Sequence, residues 1–348
     1  MSDKVKVAVD AMGGDYGPSE IVKGAVDAAR ETQRLQIFLL GDEEKIKKEL
    51  EQIDSSLVPL DRIEIIPTTQ VIETGEAPVN AIRTKKDSSM VRGMKMVHNQ
   101  EADALVSAGS SGALLVGGQI IVGRIRGIER SPLAPVLPSA KGPFLLVDAG
   151  ANVDARASQL VQFAQMGSIY MEGVVGVPDP RVALFNIGAE EEKGNAVVKE
   201  AYPLLKNLDG IHFVGNIEGR DIPEGEADVV VCDAFTGNAI LKLYEGTGEM
   251  VYREIKEIFN KNLRTKIGAL LLEKDLRSSL KKFDMSRYGG APLLGLKGLV
   301  VKSHGNAKAL AVQHTIQQCV QFKDSDINGQ FREKMHLDEK AMGGINHG

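Results

Sequence analysis

Short, nearly unbroken apolar runs recur along the chain at 5–9, 36–40, 63–67, 104–107, 144–147, 181–186, 211–214 and 228–231, with a late one at 299–302. Between them lie longer stretches whose apolar residues fall three and four apart, at 19–34, 78–99, 158–170, 195–206 and 306–322. An apolar run without polar alternation is what a strand covered on both faces requires. Helical periodicity between such runs predicts parallel strands joined by crossover helices. The pattern therefore predicts an α/β fold with a mostly parallel sheet. No repeat, low-complexity segment or Pro/Ser-rich linker divides it, so 1–323 reads as one domain. The remainder, 324–348, reads as a polar, poorly ordered tail with no part in chemistry.

One stretch breaks the alternation. From Glu245 to Lys282 helical periodicity runs on through Ile255, Ile258, Phe259, Leu263, Ile267, Leu270 and Leu271 with no strand. That exceeds what one crossover helix needs and predicts a helical protrusion at about 245–283. Within 253–282, nine Lys or Arg stand against four acids, a local +5 on a chain of net −5. Basic flanks around excess apolar positions suit an anionic lipid surface or an acidic carrier. The same apolar excess suits burial in a dimer interface equally well.

Composition narrows the class. The chain has 348 residues, 43% hydrophobic, enough for a large core. Its 42 basic and 47 acidic residues give no basic field, which argues against nucleic acid as a partner. No apolar run approaches the roughly 18 residues of a membrane span. Met1 to Lys4 lead straight into the first strand, so no signal peptide is expected and the protein is expected to be cytoplasmic. Cys232 and Cys319 make neither a disulfide framework nor a zinc cage.

Ligands of parallel α/β sheets bind beyond the carboxyl ends of the strands. Six strand ends here open into loops of Gly, Asn, Ser and Asp: Asp10-Ala11-Met12-Gly13-Gly14-Asp15, Ala108-Gly109-Ser110-Ser111-Gly112, Asp148-Ala149-Gly150-Ala151-Asn152, Gly188 to Asn195 with Lys193, Gly215-Asn216-Ile217-Glu218, and Asp233-Ala234-Phe235-Thr236-Gly237-Asn238. Glycine lets successive N–H groups turn toward one oxyanion. No loop closes with Gly-Lys-Ser/Thr, none after the first strand reads Gly-x-Gly-x-x-Gly, and no metal-ligand spacing occurs. The rim reads as an anion pocket without a nucleotide fingerprint, a metal or a cofactor. Each loop has a plainer reading: a tight turn, Asp10 capping its own turn, Cys232 as a small core residue, His304 as a surface residue.

These loops resemble the acyl-ACP:phosphate acyltransferase (PlsX) family. The similarity begins at Asp10–Asp15 and runs through Ser107–Leu114, Asp148–Asp154, Lys193-Gly194-Asn195, Gly215–Glu218, Asp233–Asn238 and Tyr288–Gly295 to Lys302-Ser303-His304-Gly305. It covers about 4–322 in order. Tyr16 departs from it, standing where the family often has His, and Cys232 is not a family requirement. The resemblance implies a Rossmann-like, three-layer α/β/α fold akin to isopropylmalate dehydrogenases and phosphotransacetylases, acting as a homodimer. It implies transfer of a long-chain acyl group from acyl carrier protein to inorganic phosphate, giving acyl phosphate for a membrane glycerol-phosphate acyltransferase. Transient contact with that enzyme, or with the inner face of the membrane, would follow. Lys193 and Asn238 are the expected catalytic residues. Asp10, Gly13, Gly14, Asp15, Gly109, Ser110, Ser111, Asn152, Asn216, Asp233, Thr236, Gly237 and His304 are the expected substrate- and phosphate-binding set. Phosphate is already an anion at neutral pH, so direct attack on the thioester is expected, with no acyl-enzyme. Two other readings stand beside this one. An isopropylmalate-type dehydrogenase lacks its carboxylate cluster here, and a membrane-surface scaffold leaves the glycine loops without purpose.

Overall fold

The first apolar run becomes strand β1, Val5–Asp10, because Val5, Val7 and Val9 on one face and Ala8 on the other are all fully buried. The computed structural model describes residues 4–54, 56, 58–282 and 285–337, the side chains of 275–286 excepted. β1 lies inside a six-stranded sheet. Its neighbours on one side are β2 (Leu35–Gly41) and β3 (Ile63–Pro67). On the other side come β4 (Ala104–Ser107), β11 (Leu299–Lys302) and the short antiparallel β10 (Ala291–Pro292). A second, five-stranded sheet runs β5 (Val136–Pro138), β6 (Pro143–Val147), β9 (Val229–Val231), β7 (Arg181–Phe185), β8 (His212–Ile217). Only β5 is antiparallel within it. The one sheet expected from the sequence is thus two, since apolar runs mark strands but not which strands pair.

The two sheets share a core. Val7 and Val9 of the first and Leu145, Val147, Val182 and Val229 of the second belong to one buried cluster, with Phe163 and Met166 of helix α6 (Ala157–Tyr170). The first sheet's other face packs Ala8, Leu105 and Val300 under Met90, Val91 and Met94 of α4 (Ser89–His98). Helix α1 (Ser19–Glu31) meets α10 (Ala309–Asp324) so closely that a Cβ at Gly24 would stand 2.5 Å from the Ala309 carbonyl oxygen. The predicted helix over 78–99 is two, α3 (Pro78–Thr84) and α4, parted where the Ser88 hydroxyl caps α4 by accepting the Val91 N–H. Strand β8 runs on through Gly215 and Asn216, where the glycine and asparagine predict a loop; a register shift at Val182/Ala183 absorbs the extra residue.

The segment read as a polar tail is folded as far as described. Helix α11, Ile327–Lys334, buries Ile327 and Phe331, and Met335 and Leu337 follow them into the core. Their spacing of four was the helical signal the polar composition hid. Residues 338–348 lie outside the described chain.

The protrusion is present. Helix α8 (Ala234–Asn260) and helix α9 (Leu263–Lys282) follow β9, and of α8 only Ala234 and Gly237 are buried. Asn262 turns one into the other, its Oδ1 accepting the Thr265 N–H at 3.0 Å. Leu263, Ile267, Leu270, Leu271 and Leu272 are more than half exposed. None of the described helices is long and apolar enough to cross a membrane.

Candidate functional site

In parallel strands, register partners point to the same face. Lys302 of β11 pairs with Ser107 of β4, and Ser107 pairs with Asp10 of β1, so three adjacent strands end in one polar row. This row follows the apolar row Ala8, Leu105, Val300 on that face. The Ser107 hydroxyl donates to Asp10 Oδ2 at 2.7 Å and accepts the Gly109 N–H at 3.0 Å. Lys302 Nζ donates to the carbonyls of Ala108 (2.9 Å) and Ser303 (2.6 Å). Burial pushes the Lys302 ammonium down to about 8, with Lys242 adding to the shift and Asp10 and Asp15 opposing it. Above the row, the β1 and β11 loops touch: the Asp15 N–H donates to the Gly305 carbonyl at 2.8 Å. Gly14, at φ +84°, could carry no side chain there, since a Cβ would lie 2.8 Å from that same carbonyl oxygen.

Helix α8, which leaves the second sheet, reaches the same edge. Asp233 caps the helix, accepting the Thr236 N–H at 2.8 Å and the Thr236 hydroxyl at 3.1 Å. Asn238, Lys242 and Glu245 follow at helical spacing on one face. Lys242 donates to Glu245 Oε2 at 2.8 Å, and Glu245 Oε1 meets His304 Nε2 at 3.1 Å. Helix α8 therefore starts at the end of β9 in one sheet and is tied to the loop after β11 in the other. Glu245 raises His304 above its ordinary value, and burial opposes it. Burial also acts to raise Glu245, but the bonds from His304 and Lys242 win and hold its carboxyl low.

Several expected ligands have other work. Asn152 donates from Nδ2 to the Ser131 carbonyl and to Asp148 Oδ2, so it holds its loop and offers no free donor. The Gly237 N–H already donates to the Asp233 carbonyl. What requires glycine at 237 is contact, since a Cβ would stand 1.9 Å from the Asp148 carbonyl oxygen. Thr236 and Asp233 satisfy each other as a cap. Ser110 caps the short helix α5 (Ser111–Gly117), and His304 is paired with Glu245. Asn216 sits within β8, donating to the Glu190 carbonyl.

Asp10, Gly13, Gly14, Asp15, Gly109 and His304 do converge on one edge. A Cβ at Gly13 would lie 2.6 Å from the Gly109 nitrogen, which leaves room for hydrogen only. Lys193 and Asn238 are exposed, on the loop after β7 and the first turn of α8, and no hydrogen bond or ion pair is seen for either side chain among the described residues. Ser111 is exposed as well. Among the described residues no three His, Cys, Asp or Glu gather as a metal site would need. Cys232 is buried, and burial, then the nearby Asp148 and Asp233 carboxylates, push its thiol far up.

Lys302 and Glu245 were missing from the expected set. Lys302 had a signal, a lysine closing an otherwise apolar strand. Glu245 had none, because only the helix direction brings it to His304.

Residues 5–330 match the model of a family described as fatty acid synthesis protein. A phosphate acyltransferase of Clostridium botulinum (strain Loch Maree) is 50% identical over 312 residues, 90% of this chain and 92% of that protein. A phosphate acyltransferase of Clostridium tetani is 45% identical over 331 residues, covering 95% and 98%. Among solved structures, a phosphotransacetylase from Streptococcus pyogenes superposes with a TM-score of 0.60 at 17% identity, over 92% of this chain and 94% of the other. That likeness speaks for the α/β fold.

Proposed function

The chain belongs to the fatty acid synthesis protein family and is an acyltransferase, and from that premise we propose that it moves a long-chain acyl group from acyl carrier protein to inorganic phosphate. The observation that carries the reading is the meeting of the Asp10–Asp15 loop, the Gly109 loop and the Lys242–Glu245 face of α8 at one edge, with the half-buried cation Lys302 beneath it. A phosphate oxygen attacks the thioester carbonyl; the C–O bond forms, the C–S bond breaks, and the phosphate's proton leaves with the thiol. Products are acyl phosphate and free carrier thiol. Lys193 supplies a point charge to phosphate and Asn238 a donor to the thioester oxygen as charge grows there. Cys232, protonated and buried, takes no acyl group. The assay is direct: acyl carrier thioester and phosphate should give acyl phosphate and one thiol per turnover. Thiol release that ignores phosphate would make the chain a thioesterase instead.

The exposed apolar residues of α9 support a second part of the reading: the α8–α9 arm is where two copies meet and where the dimer touches an anionic membrane surface on the cytoplasmic side. There the product passes to a membrane-bound glycerol-phosphate acyltransferase. Lys266→Glu with Leu271→Glu should abolish sedimentation with anionic vesicles while sparing activity on soluble substrate. Unchanged sedimentation would move the membrane contact elsewhere, and inactive monomers would leave the arm as a dimer interface alone.

A further inference from the structure

We propose that Lys302 is a positioning residue for phosphate transfer, fixing the peptide between Ala108 and Gly109 so that the glycine loop at 109–111 is held toward the cleft. The inference rests on the acyl-transfer reading and adds a residue to it.

A peptide presents its carbonyl and its N–H in opposite directions. Here both are held. Lys302 Nζ takes the Ala108 carbonyl at 2.9 Å, and the Gly109 N–H on the far side of the same peptide donates to Ser107 Oγ at 3.0 Å. The Ser107 hydroxyl passes on to Asp10 Oδ2 at 2.7 Å. An ammonium and a carboxylate thus polarise one peptide from its two ends, through partners that share a single row across β11, β4 and β1. Gly13 rests against the same peptide, with no space for a side chain between it and the Gly109 nitrogen. The second Lys302 bond, to the Ser303 carbonyl at 2.6 Å, anchors the β11 loop, whose Gly305 carbonyl receives the Asp15 N–H. One side chain therefore sets three loops in register.

A simpler role would be structural, a lysine neutralising Asp10. Two observations argue for more. Asp10 Oδ2 is bonded by Ser107, Asp10 Oδ1 accepts the Met12 N–H at 3.2 Å, and the ammonium is given to two loop carbonyls instead of to the carboxylate. Moreover, the charged groups around Lys302 are Asp10 and Asp15 from the β1 side and Lys242 from α8, itself bonded to the Glu245 that meets His304. Burial holds the group near 8, so its charge falls away just above neutral pH. A neutral amine keeps two N–H donors for the two carbonyls and loses only the charge. Charge and scaffold can therefore be separated by experiment.

The test compares wild type, K302R, K302M and S107A by kcat, by KM for phosphate and for thioester, and by melting temperature, across neutral to alkaline pH. K302M and S107A should lower kcat about 100-fold, the cost expected when an acceptor is misplaced by about an ångström, with thioester KM unchanged. Wild-type kcat/KM for phosphate should fall as pH rises through about 8, and K302R, which does not titrate there, should lack that limb. An active wild type beside an equally active K302M, or a K302R that keeps the limb, overturns the assignment. Should K302M fail to fold, S107A and the K302R profile decide it. A wild type that releases no thiol with phosphate sinks the acyl-transfer reading itself, a different result from an active enzyme indifferent to Lys302.

Discussion

Asp10 and Asp148 are both fully buried carboxylates at or just past the carboxyl ends of inner parallel strands, one in each sheet, yet their surroundings assign them opposite work. Asp148 accepts from the backbone N–H groups of Leu133, Gly150, Ala151 and Asn152 and from Asn152 Nδ2, at 2.6 to 3.0 Å. Burial pushes its carboxyl up, and these donors oppose the shift; oxygens faced only by N–H groups fit the ionised form. The carboxylate is a knot that closes its own loop and ties it to Leu133. Asp10 instead ends a path that runs outward, through Ser107 and the 108–109 peptide to a lysine able to lose its charge near pH 8. The first arrangement can only hold; the second can respond to what enters the cleft. A buried charge satisfied wholly by fixed backbone and amide N–H groups marks architecture, and one linked across strands to a titrating partner marks a site.

The comparison breaks first at Asp148. Asp148→Ala strands several buried N–H groups and should cost at least about 3 kcal/mol, read as a lower denaturant midpoint. Gly237→Ala should fall in the same class, because the Asp148 carbonyl cannot retreat from a Cβ placed 1.9 Å away. If either variant folds with parental stability, the second sheet's edge is not held by these contacts.

Next in size come Lys193→Ala and Asn238→Ala, exposed groups on the second sheet's side of the cleft. Each should lose about 100-fold in turnover, as loss of one charge-stabilising donor does, while melting near the parent temperature. Lost activity with a large fall in melting temperature would return them to the fold.

Cys232→Ser should do much less. Its thiol makes only a 3.5 Å contact with the Asp148 carbonyl, so about 1 kcal/mol of stability is at stake and most activity should remain. A stoichiometric acyl adduct on Cys232 in the mass spectrum would instead make it a nucleophile.

The smallest effect is at the tie between the sheets. The raised pKa of His304 means that its contribution to stability is complete below the unfolded pKa and is lost as pH rises through the folded value. Glu245→Gln should bring the His304 titration, followed by NMR, back down toward its ordinary value. An unmoved titration would show that Glu245 does not clasp the loop after β11.

The sequence by itself determined nine of the eleven described strands, most of the crossover helices and the long α8–α9 protrusion, since whether a segment is covered on two faces, one or none is written in its own periodicity; the short antiparallel β5 and β10 carry too few residues to show it. It placed Asp10, Gly13, Gly14 and Gly109 at strand ends, where glycine and aspartate announce a tight turn. It did not show that Asn152, Thr236 and Gly237 already have partners, because a donor in a loop looks the same whether a neighbouring carbonyl takes it or not. Nor did it join residue 302 to residues 107 and 10. That row exists only because β11, β4 and β1 lie side by side in one register, and strand order is fixed by contacts between distant parts of the chain that no local pattern records.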